Sequence, residues 1–111
     1  MRTVETEDLR LMVENGRDFT LINVLSPRQF RQQHIPGSIN IPLASETFVQ
    51  QALDAAGSLN APVVVYCAGI ECDASDKAAE KLEAAGFRNL YVYEGGIEAW
   101  EESGLALNAL A

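Results

Sequence analysis

Cysteine is scarce in this chain, two residues in 111, and histidine scarcer, with His34 the single one. Together they fall short of the four ligands that a structural zinc site takes, so no metal is expected. Basic residues are few: 8 Lys and Arg stand against 16 Asp and Glu, a formal net charge of −8. Phosphate-rich surfaces are bound through clustered cations, so neither nucleic acid nor a membrane is an expected partner. No apolar run approaches the ~20 residues that cross a bilayer. The N-terminal stretch from Met1 to Asp8 carries acids where a secretory leader has its basic region. The expected location is therefore cytoplasmic. Thiols stay reduced there, and a cysteine pair points to catalysis or redox chemistry rather than to a structural staple. Repeats and low-complexity linkers are also missing. Residues 1–111 are expected to form a single domain, large enough to bury a core without staples.

What is present is an alternation of short apolar runs and amphipathic stretches. Thr6 reads as an N-cap, with Glu7 and Asp8 in a first turn that favours acids, and Leu9, Met12 and Val13 at helical spacing before Gly16. Residues 19–24 read as a strand, apolar enough to be covered on both faces. Ser26-Pro27 starts a short helix that Pro36-Gly37 brings to an end, and residues 38–41 form a further short strand. Val49, Ala52, Leu53 and Ala56 line one helical face, and residues 63–66 make the next strand. Ala78, Leu82 and Ala85 lie on one face of a helix stopped by Gly86, residues 90–93 are a strand, and a last helix spans residues 97–102. Strands alternating with helices predict an α/β domain around a mainly parallel sheet.

The stretch Pro62-Val-Val-Val-Tyr-Cys67-Ala-Gly-Ile-Glu-Cys72-Asp-Ala-Ser75 holds both cysteines. It places Cys67 at the carboxyl end of a buried strand, where ligands of open α/β sheets bind. A thiol is nucleophilic only as its anion. Backbone N–H groups of the loop and the following helix N-terminus favour that anion, while Glu71, Asp73 and Asp76 oppose it. Gly69 is expected to take left-handed backbone angles, and Asp73 or Ser75 to cap the helix. The residues alone leave Cys67 as either a buried small hydrophobe or a nucleophile. Cys72, five positions on, is either a packing residue or a resolving thiol for Cys67. His34 fits a turn residue bonded to nearby backbone better than a base, and Trp100 a core or lid aromatic.

Phe30-Arg-Gln-Gln-His34-Ile-Pro36-Gly37-Ser-Ile-Asn-Ile41-Pro42 resembles the N-terminal signature of rhodanese-like domains, and Glu94-Gly95-Gly96-Ile97-Glu98-Ala99-Trp100 their C-terminal motif. Tyr66-Cys67 and residues 77–87 fit the strand and helix between them. The resemblance implies a three-layer α/β fold, a central mainly parallel sheet with helices on both faces. It implies a sulfurtransferase in which Cys67 carries sulfane sulfur as a persulfide, without cofactor. Ala68, Gly69, Ile70, Glu71 and Cys72 would then form the loop that binds substrate, holding the anion with their amides. The implied partners are a small sulfane-sulfur donor and a protein persulfide or thiol acceptor. The chain departs from the family pattern in a longer loop with no Arg, and in Asn23-Val24-Leu25 and Gln29 where the family has Asp-Val-Arg and Glu. A loop without Arg grips a small dianion poorly, so weak thiosulfate turnover is expected. The alternatives are a non-catalytic interaction module on the same fold and a Cys67/Cys72 thiol–disulfide switch.

Overall fold

The computed structural model describes residues 2–110. Along the chain run β1 (Arg2–Thr3), α1 (Thr6–Glu14), β2 (Thr20–Asn23), α2 (Pro27–Gln32), β3 (Ile39–Asn40), α3 (Phe48–Ala56), β4 (Val63–Tyr66), α4 (Ala74–Ala84), β5 (Leu90–Tyr93) and α5 (Gly96–Glu102). Among the described residues the strands make one five-stranded sheet in the order β1-β5-β4-β2-β3. Every pairing within it is parallel. The four residues of central β4 have no exposed surface. Such a strand is covered on both faces, which is why it reads as an unbroken Val-Val-Val-Tyr run. Each fully buried Val contributes roughly 1.5–3 kcal/mol. Phe48 and Ala52 of α3 and Ala78, Ala79 and Leu82 of α4 join Ile22, Val92 and Trp100 in the core. The fold is the three-layer α/β arrangement implied by the sequence. No helix among the described residues is long and apolar enough to cross a membrane.

Several local expectations are corrected. β1 has no counterpart in the sequence reading, because its two residues are exposed and held only by pairing with β5. α1 is capped by Glu5, whose side chain and that of Asp8 form a reciprocal capping box. Thr6 is instead the first helical residue, and its hydroxyl bonds to the Tyr93 hydroxyl at 2.6 Å. α2 begins as read: Ser26 Oγ accepts from the Gln29 amide at 3.2 Å, and Pro27 takes the first helical position. α4 ends at Ala84, so Ala85 is an exposed cap residue, and Ala79 fills the core face in its place.

This order puts the carboxyl ends of β2, β4 and β5 side by side. Asn23 stands opposite Tyr66, and Tyr66 opposite Tyr93. The residues that follow these strands therefore share one rim of the sheet.

Candidate active site

Cys67 is the first residue beyond β4 and is 2% exposed. The chain then makes a tight turn in which the Cys72 amide donates to the Gly69 carbonyl at 3.0 Å, before α4 starts at Ala74. The turn returns Cys72 to the strand end. The Cys67 sulfur lies 3.3 Å from the Cys72 carbonyl oxygen and 3.5 Å from Ser75 Oγ. Both cysteines are free thiols.

Burial pushes the Cys67 thiol above its ordinary pKa, and its interaction with the Cys72 thiol adds to the rise. The hydroxyl and backbone N–H of Ser75, in the first turn of α4, work the other way by bonding to the sulfur. Sequence reasoning considered Ser75 only as a cap. Its contact with Cys67 was missed because an eight-residue separation says nothing about a loop that doubles back. Asp73 occupies the N-cap position without a capping side-chain bond, and pairs with Lys77 at 3.3 Å instead.

Gly69 does not take left-handed angles; its φ is not positive. A Cβ there would lie 2.6 Å from the carboxyl carbon of Glu98, an exposed side chain that can swing aside. The left-handed glycine of the site is Gly96, at φ +59°, packed against the loop backbone. It opens α5, whose Ile97 and Glu98 amides donate to the carbonyls of Cys67 at 3.1 Å and Ala68 at 2.9 Å. Two orphan donors of a helix start thereby anchor the first half of the loop.

The rim is acidic. Glu71, Asp73 and Glu98 are exposed, and the Glu94 carboxyl is held above its ordinary value because its protonated form donates a hydrogen bond to the Asp76 carboxylate, with burial adding to the rise. Ile70 stands at the loop tip, 78% exposed. A cleft of about 140 Å³ lies among Gln29, Gln32, Gln33, Ala68 and Glu98. On the other flank, an apolar cleft of about 390 Å³ is lined by Leu25, Pro27, Pro42, Leu43 and Ala74.

His34 is placed as a structural residue. Its Nδ1 bonds the Phe30 carbonyl at 2.8 Å, and its ring stacks on Phe30 at 3.9 Å. Trp100 is buried, donates Nε1–H to the Ala106 carbonyl at 2.9 Å and meets Tyr93 edge-on. A buried network was also missed. The Tyr66 hydroxyl accepts from Asn23 Nδ2 and from the Ile35 amide, each at 3.0 Å, and lies 2.8 Å from Ser38 Oγ.

Comparison with known proteins matches residues 5–103 to the rhodanese-like domain. A protein of Pseudomonas syringae pv. syringae, the thiosulfate sulfurtransferase GlpE, is 30% identical over 100 residues, 89% of this chain and 86% of that one. The crystal structure of the Alr3790 protein from Anabaena superposes with a TM-score of 0.85 at 26% identity, covering 96% of this chain and 92% of the other. The human single-domain sulfurtransferase TSTD1 superposes at 0.74 with 26% identity, over 92% and 96% of the two chains.

Proposed function

The chain belongs to the rhodanese-like family, and from that premise we propose that it is a sulfurtransferase with Cys67 as its sulfur carrier. The observation that carries this reading is the placement of the Cys67 sulfur at the end of β4, 3.5 Å from the hydroxyl of Ser75 in the first turn of α4. The relatives named as sulfurtransferases give it chemical context. The Cys67 thiolate attacks the sulfane sulfur of a donor persulfide. The donor's S–S bond breaks, its thiolate leaves, and Cys67 holds the extra sulfur. An acceptor thiolate then attacks the outer sulfur and restores the Cys67 thiolate, with Ser75 supporting the anion at each end of the cycle. A small-thiol persulfide or a partner protein suits the acidic rim better than the thiosulfate dianion, for which the loop offers no Arg.

Intact-mass measurement after exposure to a small-thiol persulfide tests the proposal. The wild-type protein is expected to gain one sulfur and Cys67→Ser none; thiosulfate in the same assay is expected to load more slowly. No gain in the wild type, or a gain that survives Cys67→Ser, removes the reading.

The raised Cys67 thiol sets a pH dependence. The reactive anion forms only as pH climbs past the range of an ordinary cysteine. Alkylation by iodoacetamide is therefore expected to be slow at neutral pH and still rising above the midpoint of a free-cysteine peptide. A plateau reached below neutral pH would contradict the dominance of burial. The same raised thiol favours the second reading, a non-catalytic interaction module. An unreactive Cys67 that takes up no sulfur from any donor would select it.

A further inference from the structure

The loop carries a second nucleophile that the transfer cycle does not use. The Gly69–Cys72 turn folds Cys72 back onto the strand end, with its carbonyl 3.3 Å from the Cys67 sulfur. Cys67 is buried and Cys72 half-buried, and both are free. Between them Ile70 and Glu71 are exposed, so the tip of the turn is not packed into the core.

We propose that Cys72 is a resolving thiol that cleaves the Cys67 persulfide, releasing hydrosulfide and leaving a Cys67–Cys72 disulfide. The inference rests on the reading of Cys67 as sulfur carrier. The Cys72 thiolate attacks the inner sulfur, Sγ of Cys67. The bond between Sγ and the outer sulfur breaks, and the outer sulfur departs as hydrosulfide with the electron pair of that bond. One sulfane sulfur is reduced, and two cysteine sulfurs are oxidised to the disulfide. Hydrosulfide, not Cys67, is expelled because the turn returns Cys72 to the Cys67 sulfur itself, which makes the inner sulfur the one within its reach. A low-molecular-weight thiol or dithiol reduces the disulfide and resets the site. Sulfur reaching Cys67 thus has two fates: transfer when an acceptor thiol is docked, and release as sulfide when none is.

The test uses the full chain and its Cys72→Ser and Cys72→Ala variants, each treated with a small-thiol persulfide and then freed of donor. Both variants are expected to keep one extra sulfur. The wild type is expected to lose it, release an equal amount of sulfide and end two hydrogens lighter than the reduced protein. Equal persistence of the extra sulfur in wild type and variants overturns this inference alone, as does peptide mapping that finds the extra sulfur moved to Cys72. If neither wild type nor variants gain sulfur, the carrier reading itself falls, and this inference with it.

Discussion

Gly96→Ala is expected to abolish sulfur loading of Cys67 and to lower the unfolding free energy by about 2–5 kcal/mol, from left-handed backbone strain plus overpacking. Gly96 sits at φ +59°, and a Cβ there would press on the Cys67 carbonyl oxygen and lie 2.8 Å from both the Ala68 carbonyl carbon and the Gly69 nitrogen. These are backbone atoms, so no rotamer change relieves the clash. Relief requires the loop and the start of α5 to separate, which breaks the bonds from the Ile97 and Glu98 amides to the Cys67 and Ala68 carbonyls. The sulfur then loses its position relative to Ser75. Gly104 is the matched control. At φ +80° it has the same backbone demand, but nothing lies within 4 Å of an added Cβ. Gly104→Ala is expected to cost only the strain, about 1–2 kcal/mol, and to load sulfur normally. Urea unfolding and intact mass measure the two quantities separately. Wild-type loading by Gly96→Ala would show that the α5 contact does not hold the active loop.

The contrast between these glycines marks the limit of sequence reasoning for this chain. The strand before Cys67 was legible because a central parallel strand is buried on both faces and so must be apolar throughout. The helices were legible from their 3.6-residue period. β1 was not: an edge strand of two exposed residues carries no hydrophobic signature, and only its pairing with Tyr91 and Val92 defines it. The site shows the same division. The place of Cys67 at a strand end made it a candidate, and only the family resemblance favoured the nucleophile over a buried small hydrophobe. Which glycine is strained and which is merely crowded depends on α5, whose first turn is joined to the loop only in three dimensions. Ser75 and the turn that aims Cys72 back at Cys67 likewise depend on where α4 starts relative to β4, a distance that sequence spacing does not encode.

Tyr66→Phe is expected to destabilise the domain by about 2–5 kcal/mol, although it removes a single oxygen. The loss follows from what the hydroxyl serves. The Ile35 amide and Asn23 Nδ2 both donate to it, and both are buried. Ser38 Oγ gives its own proton to the Ile35 carbonyl at 2.6 Å, so the Tyr66 hydroxyl donates to Ser38. Phenylalanine leaves two buried donors without an acceptor and the half-buried Ser38 hydroxyl without its donor, together costing about 2–5 kcal/mol. The space left by one oxygen is too small for a replacement water. Against a total stability of about 5–15 kcal/mol, this loss is large, and the melting temperature is expected to fall by roughly 10 °C or more. The network also has a pH signature. Burial raises the Tyr66 pKa above its ordinary value near 10, so the folded state favours the protonated phenol. That contribution is fully present below the unfolded tyrosine range and is lost as pH rises above it. Wild-type stability is therefore expected to decline at alkaline pH with a component that Tyr66→Phe lacks. The hydroxyl lies among Asn23, Ile35 and Ser38 rather than at the sulfur, so Cys67 of the folded variant is expected to load sulfur as before. Urea unfolding across pH, together with intact mass, checks both statements. Unchanged stability would mean that the Ile35 and Asn23 donors find other acceptors.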